Sequence, residues 1–367
     1  MRQITYCSNI HAGEAWADVL KNLNAHLLDV KNNFCPNAAF PLGLRISHQA
    51  AQELDAQAIT EFKSWCNTHN CYLLTINGFP YGAFHGQPIK AAVYEPDWRT
   101  AERVSYTKRL ADIAVALMTT PTDLSISTVP VAFKPGFSAT DWPSVRQNFI
   151  EVLTHLQLIY QHTGIKVRLA IEPEPYCVLE TTAETIDFFA RMNFPEALRD
   201  YLGICFDCCH QAVEFEDPQE CLAQLQAAQI KLVKVQVSSA LRATGEEIPQ
   251  LMAFNEPHYL HQVVAKPAGN LPLAHFPDLP EFHAALAAGA QYTECRAHFH
   301  VPIFLDHLGY CGTTRFFLEA CLPLLDANIP LEVETYSFNS LPPPLRTDSI
   351  SASITRELCW LRDFVNP

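Results

Sequence analysis

The chain has 367 residues, 49% of them hydrophobic, with 13 cysteines and a formal net charge of −14. That hydrophobic content supports a large core, while the acidic balance disfavours wrapping of nucleic acid through phosphate neutralisation. No stretch approaches the ~20 uninterrupted apolar residues of a membrane span, and the opening MRQITYCSNIHAGEAW lacks the apolar segment and small-residue cleavage site of a secretory signal; a soluble cytoplasmic protein is expected.

Short β-rich runs alternate with longer helical patterns. The predicted strands are QITYCSN (3–9), PLGLRIS (41–47), CYLLTIN (71–77), LSISTVPVAF (124–133), VRLAIEP (167–173), LGICFD (202–207), KLVKVQVS (231–238) and PLEVETYSF (330–338). Helical spacing of apolar residues predicts helices over 14–29, 48–69, 100–118, 141–163, 181–191, 218–228, 313–327 and 348–365. Eight strands alternating with helices argue for a parallel sheet, and eight units suggest a closed (β/α)8 TIM barrel formed by residues 1–367 as a single domain. Residues 240–297 are too long for an ordinary loop and carry two further strand-like pieces, YLHQVVA (259–265) and RAHFHVPIF (296–304). They read as an inserted hairpin or flap over the barrel mouth, after the seventh strand. The cysteines are odd in number and lack a disulfide spacing, so reduced, buried thiols are expected. Cys205, Cys208 and Cys209 cluster, without the second ligand pair of a structural zinc site.

Side chains on a strand alternate between faces. Placing Leu202, Ile204 and Phe206 against the helices turns Gly203, Cys205 and Asp207 into the barrel. The same parity turns in Ala170 and Glu172, then Lys234, Gln236 and Ser238, then Glu332 and Glu334, and more weakly Asn9, His11 and Asn77. The polar members fall at the C-terminal strand ends, where barrels of this kind place their chemistry. Asp207 read alone is equally a cap for the following helix. Glu172, Asp207 and Glu334 at matching ends of three strands repel one another unless protons or a cation intervene. One divalent metal ion is the economical answer, and the ligand type leaves Mn, Mg, Co and Zn open. In "HFH", His298 and His300 share a side of a strand, as an imidazole pair for a metal or a substrate. In "IEPEP", Glu174 follows Glu172 to the same side, as a base or a supporting partner. Glu14 suits the start of the first helix, and His85 and His261 have no evident partner.

The stretches SNIHAGE, IEPEP, FDCCH, VQVSSAL and HFHVPIF together resemble the xylose-isomerase-like TIM barrels, and within them the metabolite traffic protein EboE group. The superfamily includes sugar isomerases, ketose epimerases and the endonuclease IV group. By that resemblance Glu172, Asp207 and Glu334 match three metal-binding acids, and Asp207 with His210 matches an Asp-x-x-His whose histidine contacts substrate. The third ligand in those enzymes lies in a His-x-His stretch, which resembles His298 and His300 here, with His300 as the ligand. The sequence departs from the pattern at the seventh strand, where Gln236 occupies the ligand place. Either Gln236 supplies an amide oxygen, or the insertion delivers histidine from above, or the site is degraded.

Three functions follow. The first is a metal-dependent isomerase or epimerase acting on a small hydroxylated or carbonyl metabolite. There Glu172, Asp207, His300 and Glu334 would bind metal, Glu174 or Glu334 would move the proton, and His210, His11, Gln236 and His298 would hold substrate. The second is a non-catalytic metabolite-binding or traffic protein on the same fold. The third is a metal-dependent phosphodiesterase. The EboE resemblance implies partners from the same gene cluster and leaves the oligomeric state open.

Overall fold

In the computed structural model, which describes residues 2–86, 88–118, 123–346 and 348–366, strands run along the chain as β1 (Ile4–Tyr6), β2 (Phe40–Arg45), β3 (Cys71–Asn77), β4 (Leu124–Thr128), β5 (Val167–Ile171), β6 (Leu202–Asp207) and β7 (Leu232–Val237). There follow β8 (Ser239–Thr244), β9 (Val263–Pro267), β10 (Ala274–Phe276), β11 (Tyr292–Val301) and β12 (Gly312–Thr313), and finally β13 (Leu331–Val333). β1 to β7 and β13 form one sheet in the order β1-β13-β7-β6-β5-β4-β3-β2, parallel at every pairing. A parallel bridge between Cys7 and Gly43 joins its two edges. With helices outside, this is the expected (β/α)8 barrel, nearly closed.

The helices start and stop where the sequence marks them. Thr181 and Glu184 form a reciprocal cap on Thr182–Met192, and Asn193 ends that helix in the left-handed conformation. Trp142–Thr163 buries Val145, Phe149, Val152, Leu156 and Ile159 along one stripe and stops at Gly164, also left-handed. Each such fully buried side chain contributes about 1.5–3 kcal/mol. The helix expected over 48–69 is broken. His48–Glu53 ends, and Asp55 opens Ala56–Thr68 by accepting the Ala58 amide at 2.9 Å.

Three expected strands are shorter than their apolar patterns. After Tyr6 the chain tightens into a 3-10 turn, and the Ser8 hydroxyl takes the Arg45 amide at 2.8 Å. β4 stops before Pro130, and Val131 sits at φ 71°. Beyond β13, His300 Nδ1 donates to the Glu334 carbonyl at 3.0 Å and the Ser337 hydroxyl donates to the His300 carbonyl. These bonds draw residues 334–338 toward the inserted segment instead of extending the strand.

That segment is more than a hairpin. β8 to β12 form an antiparallel sheet in the order β10-β9-β11-β8-β12, backed by the 3-10 stretch Gly245–Phe254 and the helix Leu279–Ala287. Its inner residues, among them Leu241, Val263, Ala297 and Phe299, are continuous with the apolar core of the barrel. Only Ser238 separates β7 from β8, so the second sheet rises directly from the C-terminal end of the barrel.

Candidate metal centre

The floor of the site is made by strand ends. Parity brings Glu172 (one residue past β5), Asp207 (last in β6) and Glu334 (one past β13) to the same end of the barrel. Their carboxylate oxygens lie within 4.8 Å of one another, and all three residues are buried. Burial, opposed by Lys234 and reinforced by Asp207 and Glu332, raises the Glu172 carboxyl to about 8. Burial, then Glu172 and Asp207, push Glu334 the same way. Burial also works against ionisation of Asp207, but His210, His300, the Ser238 hydroxyl and the His210 amide outweigh it and hold Asp207 below the usual carboxylate range.

Asp207 combines both roles that the sequence allowed. Its Oδ1 accepts the His210 amide at 3.0 Å, capping the helix Cys208–Val213, and the Ser238 hydroxyl at 2.6 Å. Its Oδ2 is buried with no hydrogen-bond partner. An unpartnered, buried carboxylate oxygen facing two further carboxylates is costly in a low-dielectric site and suits a cation. Asn9 donates to Glu334 Oε1 at 2.7 Å and orients it.

Three imidazoles close over this floor. His210 Nδ1 donates to the Pro173 carbonyl at 2.8 Å, His300 Nδ1 to the Glu334 carbonyl, and His298 Nδ1 to the Gln262 amide oxygen at 2.8 Å. The Gln262 nitrogen is spent on the Tyr94 hydroxyl and the Pro175 carbonyl, which fixes the orientation of its amide. Each ring therefore presents an Nε2 lone pair inward. His298 Nε2 lies 3.1 Å from His210 Nε2 and 3.2 Å from His300 Nε2, and His300 Nε2 lies 4.0 Å from Asp207 Oδ2. Burial lowers all three histidines, His300 to about 4, so they are neutral near pH 7, the form that binds metal. Asp207, His210 and His300 form a second set of converging ligand atoms, and Cys209 with His298 and His300 a further one. The irregular register of β11 against β8 between Ala297 and Val301 spans both histidines and sets their aim.

Glu174 stands beside this group. The Tyr94 hydroxyl donates to its Oε1 at 2.6 Å, its Oε2 is buried without a partner, and burial pushes its carboxyl well up. Beneath the carboxylate floor, Lys234 pairs with Glu332 and donates to Asn77 at 2.9 Å, all fully buried.

Of the sequence-derived residues, Glu172, Glu174, His210, His298 and Glu334 line one cavity, part of it open to solvent. Asp207 and His300 lie against its floor. His11 and Gln236 do not line it. His11 bonds the Tyr6 hydroxyl at 3.0 Å and stacks on His26, and burial lowers it to about 3. In the layer below, the Gln236 amide donates to Asn77 Oδ1 at 3.1 Å or, turned over, to Glu332 Oε2 at 2.9 Å. The long strand β11, rather than Gln236, brings nitrogen to the carboxylates. Glu14 pairs with Arg45, His85 bridges the Asn9 carbonyl and Tyr259, and His261 supports the His298 carbonyl and Glu256. Sequence reasoning missed Tyr94, on an irregular segment, and Gln262, which lay inside the strand-like piece 259–265 with nothing to mark it as a partner of His298. Lys234 and Glu332 were both visible as inward residues, but their pairing was not.

A family described as the xylose isomerase-like TIM barrel matches residues 39–289. No curated protein matches the chain in sequence. Among solved structures, a xylose isomerase-like TIM barrel protein from Mycobacterium smegmatis in complex with magnesium is 12% identical, with a TM-score of 0.55, over 100% of this chain and 97% of the other. The IOLI protein with a bound zinc atom is 14% identical (TM-score 0.51, 100% and 98% covered). The D-allulose 3-epimerase from Methylomonas sp. in complex with D-allulose is 11% identical (TM-score 0.51, 99% and 96% covered). At these identities the likeness is one of fold. Among the described residues, no helix is long and apolar enough to cross a membrane.

Proposed function

The chain belongs to the xylose isomerase-like TIM barrel family, and on that premise we propose that it is a divalent-metal-dependent enzyme of the isomerase or epimerase type acting on a small hydroxylated or carbonyl metabolite. The observation that carries this reading is the convergence of Glu172, Asp207 and Glu334 around the unpartnered Asp207 Oδ2. In this reading Glu172, Asp207, His300 and Glu334 hold the ion. Such a cation polarises adjacent substrate oxygens and makes the neighbouring C–H more acidic. His210 Nε2, fixed by the bond from its Nδ1 to Pro173, accepts a substrate hydroxyl, and His298 Nε2 lies beside it for the same task. Glu174 carries the proton, its elevated affinity for protons fitting a group that must both take and return one. Glu334, raised in the same way, is the alternative carrier. His11 and Gln236 have no substrate contact in this reading. The resemblance of SNIHAGE, IEPEP and FDCCH to the EboE group supports a place beside gene-cluster partners in the cytoplasm.

A metabolite-binding or traffic protein on the same fold is the second reading. Gln236, at the ligand place of the seventh strand and bonded elsewhere, favours it. Elemental analysis of protein purified without added metal, repeated on Asp207→Asn and Glu334→Gln, separates the two. About one ion per chain, lost in both variants, is expected for the enzyme. Tight metabolite binding with no ion selects the second reading.

A further inference from the structure

The cavity above the carboxylates is chemically one-sided. Its carboxylates, imidazoles and amide, Asn9, Glu172, Glu174, His210, His298 and Glu334, come from the turns after the barrel strands, the helix Cys208–Val213 and the second sheet. Its apolar wall is Phe79, Pro80, Phe84, Ile89, Val93 and Leu260, from the segment after β3 and the segment before β9. Three tyrosines also line it, but their hydroxyls are committed. Tyr94 bonds Glu174 and Gln262, Tyr259 bonds His85 at 2.6 Å, and Tyr336 faces His298 Nε2 at 3.4 Å. What they offer a ligand is ring surface and, at Tyr259 and Tyr336, no more than an acceptor lone pair.

Among the described residues lining the cavity, the one Lys or Arg is Lys90. An ammonium has three donors, and Lys90 spends all of them, on Asp278 Oδ2 at 2.6 Å, the Tyr259 carbonyl at 2.7 Å and the Glu256 carbonyl at 3.2 Å. No cation is left for a phosphate or for a carboxylate away from the floor. A free ketohexose carries hydroxyls along its whole length. Seated with two oxygens on the floor, it would press the remainder against Phe, Ile, Val and Leu, where a buried hydroxyl loses its water and gains no partner.

We infer that the ligand is uncharged along its body, with its oxygens gathered at one end and a flat, largely apolar remainder against the aromatic wall. It is neither a free sugar nor a sugar phosphate. Aromatic faces favour offset or edge contacts with such a body. The oxygen-bearing end rests on the reading of Glu172, Asp207 and Glu334 as a metal floor. The selectivity of the wall does not depend on it.

The test is a binding series by calorimetry on the full-length protein as purified, with metal content measured on the same samples. The probes are α-hydroxyacetophenone, an aromatic ketol; fructose, with the same ketol and a polyhydroxyl body; and a fructose phosphate. The expected order is ketol first, at least about tenfold tighter than fructose, with the phosphate weakest. Val93→Thr, nearly isosteric, and Leu260→Asn should each weaken the ketol several-fold without changing metal content. Fructose or its phosphate binding as tightly as the ketol, no ketol binding at millimolar concentration, or wall variants without effect overturns the inference. The expected order in protein that holds no ion sinks the enzyme reading and leaves the wall selectivity standing. A reversed order in metal-loaded protein does the opposite.

Discussion

His210 and His298 meet Nε2 to Nε2 at 3.1 Å, although each has already given its Nδ1 proton to an oxygen, of Pro173 and of Gln262 respectively. Two neutral imidazoles in this state offer each other lone pairs and no proton. His300 repeats the arrangement at 3.2 Å from His298. The contact becomes favourable when something electron-poor stands between the rings, a metal ion or the hydroxyl of a bound ligand.

A chelator should therefore lower the melting temperature. Binding to the folded state alone adds about 2.7 kcal/mol when the ion is at a hundred times its Kd, and that increment disappears on metal removal. Calorimetric melts with and without a chelator, and after readdition of Mn²⁺ or Zn²⁺, check this. His300→Ala should show a smaller ion-dependent shift than the unaltered protein. Equal melts in every condition would contradict the metal floor.

The Lys234–Glu332 pair is fully buried beneath the site. Lys234→Met leaves Glu332 with neutral amide donors, such as Asn77 at 2.9 Å, and an uncompensated charge. The expected loss is about 3–5 kcal/mol in denaturant unfolding. The double variant Lys234→Met/Glu332→Gln should lose less than Lys234→Met alone, since both charges are then gone. A double variant as unstable as the sum of the singles would argue against charge as the cause.

Gly43 is required by close approach. A Cβ there would lie 1.9 Å from Glu332 Oε1 and 2.7 Å from the Tyr6 carbonyl oxygen. The backbone contact cannot swing aside, so Gly43→Ala should cost at least ~3 kcal/mol, the upper end of overpacking effects. Urea unfolding measures this.

Glu357, on the last helix, accepts the Thr335 hydroxyl at 2.7 Å and the Ile303 amide at 3.2 Å, and its Oε1 has no partner. Burial, only partly offset by those bonds, raises its carboxyl from 4.5 to about 7. The folded state thus holds the proton more tightly than the unfolded chain does. Its contribution is greatest below pH ~4.5 and is lost as pH rises through about 7, up to roughly 3 kcal/mol in all. Melts at pH 5 and pH 8 should fall further apart for the unaltered protein than for Glu357→Gln. Parallel behaviour would overturn the assignment.

The barrel was legible because strand and helix periods differ and because each unit repeats them. β6 was read to the residue, since its apolar alternation ends abruptly at Asp207. Parity then gave the inward direction of Glu172, Asp207 and Glu334. What the sequence hid lies in irregular backbone. Nothing in the pattern of residues 78–95 or 255–262 places Tyr94 beside Glu174, or Gln262 beside His298. The inserted segment was underestimated for a related reason. Its strands pair with partners far away in the chain, and β8, starting one residue after β7, was not read as a strand. His11 misled because its position after the first strand suggested the mouth, whereas the 3-10 turn at Ser8–Ile10 carries it toward Tyr6 and His26.

Ser238 is the whole connection between β7 and β8, and its hydroxyl is held by Asp207 while it accepts the Cys209 amide. So short a tether, pinned on both sides, leaves no slack about which the upper sheet could swing like a door. A molecule reaching the acids enters a cavity already partly open to solvent, lined in part by Phe84, Ile89, Tyr259 and Tyr336, a small cluster separate from the main core. The upper sheet is thus a fixed rim over the acids, and reaching them does not wait on the travel of a domain.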